Sequence, residues 1–264
     1  MVIYMDANKR EQRLGEEKCN NQGCIMKIIE YVDTDNITVE FQGKHKAKVH
    51  TSYRHFKNGG VKNPYHPSIH GVGIVGNKYR CSINRKIIKE YELWQNVLCR
   101  CYNETYKEKQ PTYQDVFCCD EWLLYENFYE WVHSQPNLDK WLNGERWAID
   151  KDILVKGNKI YSPNNCCLVP QSINNLFTKQ DCRRGDLPIG VSKHNGKFRA
   201  RINNVLLNKI EIIGTYDTPE EAFRAYKQYK ENLIKQVAQE EYSKGNITKQ
   251  CYEAMMNYEV EITD

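Results

Sequence analysis

The sequence is short of five things, and each shortage narrows the functions it can carry. No apolar run approaches the roughly 18 residues needed to cross a bilayer, so a membrane-spanning role is not expected. The apolar start at Met1 turns polar by Arg10, too soon for a secretory leader. An intracellular, cytoplasmic protein is the expectation. None of the 11 cysteines forms a C-x-x-C pair. Cys99 and Cys101 are C-x-C, Cys118–Cys119 and Cys166–Cys167 are adjacent, and Cys19 and Cys24 are five apart. None is a structural zinc spacing, so zinc is not expected. In a reducing compartment these thiols stay free and pack as small hydrophobes. Net charge is only +4, so nucleic-acid binding has to be argued from local clusters of charge. Finally, no histidine lies between His133 and His194, which removes the usual general base from the middle of the chain.

What is present is ample for a core. The 264 residues are 40% hydrophobic and 27% charged, which suits two or three ordinary domains. Residues 1–80 read as a small β-rich domain. Ile25–Tyr31 and Ile37–Phe41 are strand-like, and Asp33-Thr-Asp-Asn36 between them has turn chemistry. His45, His50, His55, His66 and His70 all fall there without a metal spacing and read as surface histidines. Residues 85–103 carry Ile87, Ile88, Tyr91, Trp94, Leu98 and Cys101 at helical intervals. Residues 120–133 repeat the pattern with Leu124, Phe128, Trp131 and Val132. Aromatics at that spacing are assigned to a core and not to base stacking. The expected class is α+β, with a central helical region over 85–180, a further unit over 183–245 and an amphipathic tail over 246–264.

The 183–245 unit has the clearest local signals. Asn195-Gly196 between two strand-like runs marks a hairpin. Thr218-Pro-Glu-Glu221 is a capping box with proline at the first helical position. The helix it opens carries Ala222, Ala225, Tyr226, Tyr229 and Leu233 on one face. Three antiparallel strands and one helix are expected, with strands at 188–194, 197–203 and 206–216. In the middle strand Phe198, Ala200 and Ile202 point to the helix, so Arg199 and Arg201 point away from it. From Arg183 to Lys209 there are seven cations (Arg183, Arg184, Lys193, Lys197, Arg199, Arg201, Lys209) and one acid, Asp186. A sheet face with aligned guanidinium groups suits the major groove of double-stranded DNA, and arginine also clamps phosphates. Glu211 in the third strand is a counter-signal, because it would set a carboxylate near that surface.

Gly190-Val191, the Arg199-x-Arg201 strand and Ile213-Gly-Thr-Tyr-Asp-Thr-Pro-Glu-Glu-Ala-Phe-x-Ala-Tyr226 resemble the Apetala-type DNA-binding domain. The resemblance implies a sheet that reads the major groove, with Arg199 and Arg201 as DNA contacts; from the local cluster of cations, Arg183, Arg184, Lys193 and Lys197 are expected at the DNA with them. Upstream, Ala148–Asn174 combines an acidic strand end, a Gly-Asn turn, a Tyr-Ser-Pro-Asn-Asn loop and a short helix. This block, 148–177, resembles the ββα-metal or HNH nuclease finger. The whole arrangement, with Tyr91-x-x-Trp94, Arg100-Cys-Tyr102, Pro111-x-Tyr113 and Glu121-Trp122, resembles phage HNH homing endonucleases that carry an Apetala-type domain.

That resemblance implies a hydrolytic site in which Asp150 and Asn174 hold Mg²⁺ or Mn²⁺, Asn165 is the loop asparagine and Lys151 stands where the general-base histidine belongs. Lysine ordinarily titrates near 10.4 and would have to fall by roughly three units, about 4 kcal/mol, to act as a base. Flanking Asp150 and Asp152 push it the other way. Three readings follow: a weak metal-dependent DNA endonuclease, a DNA-binding protein on a retired nuclease scaffold, and a phage-encoded anti-defence inhibitor or adaptor that binds a host protein.

Overall fold

A computed structural model describes residues 10–178 and 186–262. Arg183 and Arg184, two cations expected at the DNA, lie outside the described residues. The chain divides into two compact units, Met1–Gln114 with Asp120–Tyr129, and Asp115–Cys119 with Glu130–Asp264. It is an α+β protein with several small sheets.

The first unit opens with strands β1 (Glu17–Cys19), β2 (Ile25–Tyr31), β3 (Ile37–Phe41) and β4 (Lys48–Thr51), antiparallel in that order. Alternation buries Met26 and Ile28 from β2 and Ile37, Val39 and Phe41 from β3. The β2–β3 register skips Ile29, so the bulge turns Tyr31 back toward the core. The expected turn at Asp33 is closed by its own carboxylate, whose Oδ1 accepts from the backbone of Asp35 and Asn36 at 2.8 and 2.9 Å. Ser52 caps the short helix α1 (Tyr53–Lys57), which adds Phe56 to the same core.

A small hairpin, β5 (Ser82–Ile83) and β6 (Lys86–Ile87), precedes helix α2 (Lys89–Tyr102). Ile87 therefore sits exposed in a strand instead of starting the helical stripe. Tyr91, Trp94, Leu98 and Cys101 are buried as their spacing predicts, and the Trp94 indole donates to the Trp122 carbonyl at 2.7 Å. After α3 (Glu104–Lys109), the helix expected over 120–133 is two helices, α4 (Asp120–Leu123) and α5 (Tyr125–His133). Ile74 divides them. Its N–H donates to Leu123 at 2.7 Å and its carbonyl accepts from Tyr125 at 2.8 Å. A strand-like bridge at Leu124 thus overrides local helical periodicity.

The second unit contains β7 (Phe117–Cys118), helix α6 (Leu138–Leu142) and strand β8 (Trp147–Asp150). Strand β9 (Ile160–Tyr161) pairs parallel with β7, and β10 (Cys167–Pro170) pairs antiparallel with β8. Helix α7 (Gln171–Phe177) follows β10 directly, so 147–177 runs from β8 through the short β9 to β10 and the helix. Strands β11 (Val191–His194), β12 (Lys197–Asn204) and β13 (Lys209–Tyr216) make a three-stranded antiparallel sheet. The Asn195-Gly196 turn has both φ angles positive, 49° and 77°, the type I′ geometry that matches strand twist. Helix α8 (Pro219–Ser243) starts at the capping box, with both reciprocal bonds of Thr218 and Glu221 formed. The expected tail is helix α9 (Lys249–Met256), which buries Cys251 and Met255.

Two boundaries moved. The third strand begins at Lys209 and not at 206, because Asn204 Oδ1 accepts from the backbone of Leu206 and Leu207 at 3.0 and 3.2 Å and holds them in a turn. The first strand begins at Val191, after Gly190 at a φ of +76°. One core joins Val169, Ile173 and Leu176 of the finger to Ala200, Ile202, Tyr226 and Leu233 of the sheet and its helix. No described helix is long and apolar enough to cross a membrane.

Candidate functional site

The finger's charged atoms are held by one another and by nearby backbone. Asp150 ends β8 opposite Cys167. Its Oδ1 accepts from the N–H groups of Asp152 and Ile153 at 2.7 and 2.8 Å, closing a tight turn. Burial raises the pKa of this part-buried carboxyl above the ordinary aspartate value, while those two hydrogen bonds pull it down. Lys151, only 12% exposed, ion-pairs with Asp152 at 2.7 Å and donates to the Asn158 carbonyl at 2.7 Å. An ammonium so engaged is a cationic brace across the loop, with no lone pair to accept a proton.

Asn158 is the hub that the sequence did not single out. Its Nδ2 donates to the carbonyls of Lys151 and Ile160 at 2.9 and 2.7 Å. Its Oδ1 accepts from Ile160 N and, at 3.3 Å, from Asn165 Nδ2. Asn165 therefore acts on the loop through Asn158. The only signal in the sequence was the Gly157-Asn158 turn, with Gly157 at a φ of +75°. Asn174 lies half-buried one turn into α7, between the buried Ile173 and the exposed Asn175. Its carbonyl accepts from Thr178 at 3.1 Å, and its side-chain amide makes no hydrogen bond among the described residues.

Mg²⁺ demands near-octahedral oxygen coordination and keeps several waters where protein donors are few. Here the donors are Asp150 Oδ2, since Oδ1 already serves two amides, and the Asn174 amide oxygen. Two such donors are far short of an octahedral set. Among the described residues no three His, Cys, Asp or Glu side chains converge as a metal site. Cys166 and Cys167 flank the site but are buried. Their thiol pKa values are pushed well up, Cys166 by burial and Cys167 by its hydrogen bond with Cys251 and by burial.

The C-terminal sheet has two different faces. Residues directly opposite in an antiparallel ladder share a side. Val191, Ala200 and Ile202 face α8 and are buried. Arg199, opposite Ser192 and Thr215, and Arg201, opposite Ile212, project from the other side. Arg201 is exposed and Arg199 half-buried, and neither has a carboxylate partner among the described residues. The Arg199 Nε is buried without a hydrogen-bond acceptor among the described residues. Lys197, on the same side opposite His194, pairs with Asp217 at 2.7 Å, which raises its pKa.

Two expectations for this sheet change. Lys193 lies opposite Phe198, so register sets its side chain on the helix side and away from the arginines. Glu211 lies opposite Ile202, also on the helix side. Its carboxylate accepts from the Tyr229 hydroxyl and from Asn204 Nδ2, and those bonds hold its pKa below the usual glutamate value. Glu211 is thus drawn away from the arginine face, where the carboxylate of Asp217 is paired with Lys197. What the sequence reading missed there is apolar: Ile210 and Ile212 are 65% and 61% exposed on the face that carries Arg201. Strict alternation from Lys209 would have found them.

Comparisons with protein-family models, with curated proteins and with solved structures returned no match.

Proposed function

We propose that this protein binds double-stranded DNA through the open face of its C-terminal sheet, and that the ββα finger is a braced scaffold for that module without an efficient hydrolytic centre of its own. The observation that carries the reading is the pair Arg199 and Arg201, aligned on one strand face without an ion-pair partner among the described residues, the Asp217 carboxylate being taken by Lys197. The exposed Arg201 guanidinium suits a phosphate or base-edge oxygen, with the half-buried Arg199 beside it on the strand. On the finger side, Lys151 is committed to Asp152 and Asn158 and is no proton acceptor.

The test is a gel shift with linear duplex at two salt concentrations. Binding should weaken steeply as salt rises, through release of counterions from the backbone. An affinity indifferent to salt and to Arg199→Ala/Arg201→Ala would reject the reading.

A second reading, a weak metal-dependent endonuclease, draws on the Asn174 amide and Asp150 Oδ2, two oxygen donors without a hydrogen bond among the described residues. Supercoiled plasmid incubated with Mg²⁺ or Mn²⁺ separates the two. Nicking lost in both Asp150→Ala and Asn174→Ala supports the nuclease, and intact plasmid supports the scaffold.

A further inference from the structure

The open face is apolar at one end and cationic at the other. Ile210 and Ile212 follow one another on the outward side of β13, opposite Asn203 and Arg201 of β12. At the adjoining β12–β13 turn, Leu206 and Leu207 are 39% and 55% exposed. The turn is built, since Asn204 holds both leucine amides and is itself buried and bonded to Glu211 and Tyr229. Branched residues suit a strand, and single exposed ones need no explanation. Four together on one hairpin call for a partner.

The partner must satisfy two chemistries side by side. Arg201 is the cross-strand neighbour of Ile212. A wholly apolar surface laid over the hairpin would bury that guanidinium without an acceptor, at a cost well above the gain from two isoleucines. A second copy of this face would set like charges against each other. The major groove supplies both needs within adjacent base pairs: acceptor oxygens and nitrogens on guanine, and the C5-methyl group of thymine.

We infer that Ile210 and Ile212 are specificity-determining residues that contact thymine methyl groups beside the base or phosphate contacted by Arg201. This rests on the DNA-binding reading above and adds to it a preference for thymine-containing major grooves. Because the contact is to a methyl group alone, uracil in place of thymine removes it and leaves the Watson–Crick pairs intact.

The experiment measures binding of the full chain to one mixed-sequence duplex pool enriched for binding, made with thymine or with uracil. Each buried methyl should contribute about fourfold, the factor equivalent to ~0.8 kcal/mol, so uracil weakens binding roughly 4- to 16-fold. Ile210→Ala/Ile212→Ala should bind both forms alike, near the wild-type affinity for the uracil form. A matching circular-dichroism melt shows that the variant is folded. Equal wild-type affinity for thymine and uracil duplexes overturns the inference and leaves the DNA-binding reading standing. No binding to either duplex at low salt overturns both. Self-association of the wild type in sedimentation that Ile212→Lys abolishes identifies a second copy as the occupant, and also overturns the inference.

Discussion

The finger and the C-terminal sheet share a core, yet they treat charge in opposite ways. In the finger, Asp150, Lys151, Asp152 and Asn158 bond to one another or to backbone within nine residues. In the sheet, Glu211 is drawn to the helix side, Asp217 is taken by Lys197, and the arginines face outward without an ion pair among the described residues. The same kinds of side chain make a rigid loop in one place and a cationic surface in the other. The difference lies in the backbone. A tight turn brings donors and acceptors within reach of each other, whereas a pleated strand sends alternate side chains to opposite faces and keeps neighbours apart.

The comparison breaks most completely at Gly190. It takes a φ of +76°, and a Cβ there would overlap the Tyr226 ring. Gly190→Ala should destabilise the second unit by about 2–4 kcal/mol, read as a lower urea midpoint, with DNA binding lost alongside. A variant of wild-type stability would show that the sheet does not need its close approach to α8.

Next in size is the outward face. Arg199→Ala/Arg201→Ala should weaken duplex binding about 30-fold at low salt and lower the salt slope by roughly two, at ~1 kcal/mol per contact. Stability should hold or rise slightly, because the buried Arg199 Nε has no acceptor to lose. Fluorescence anisotropy beside thermal melts reads both quantities.

The finger should respond in the opposite sense. Lys151→Met removes the brace and should lower stability by about 1–2 kcal/mol, with little change in DNA affinity. The figure is kept small because Asp152 is itself well exposed, so solvent already screens much of the pair. A loss of DNA affinity with unchanged stability would instead make Lys151 a phosphate contact.

The smallest effect sharpens the role of Asp150. Its folded-state pKa is raised, so its favourable contribution is complete below the unfolded value near 3.9 and is lost as pH rises through the folded value. Asp150→Asn keeps an oxygen for the Asp152 and Ile153 amides and has no charge to desolvate. The variant should gain on the wild type from about pH 4 upward and level off above the folded pKa, at about 1 kcal/mol or less. Melting curves across pH 3–8 check it. A gain that grows on acidification would mean that the carboxylate is stabilised by a cation.

Much of the C-terminal unit was legible because its signals are local. Asn195-Gly196 demands positive φ at two successive residues, and Thr218-Pro-Glu-Glu221 satisfies its own orphan amides. In 147–177 the strand end at Asp150, the Gly157-Asn158 turn and the closing short helix were likewise readable from punctuation, whereas the strand Cys167–Pro170 was not. The split at Leu124 was not, because it depends on Ile74, fifty residues away. Nor was the hub role of Asn158, whose bonds run to Lys151 and Asn165 across the loop.

By itself, the sequence determined which residues alternate, where the chain turns, and that no histidine stands beside Asp150, since these depend on covalent order and backbone sterics alone. Tertiary structure decided which cations remain available. Register sent Lys193 and Glu211 to the helix side, a single loop consumed Lys151, and Arg199, Arg201, Ile210 and Ile212 were left on the face away from the helix. Pairing between strands and burial beneath a helix are relations between distant segments, and no local run of residues encodes them.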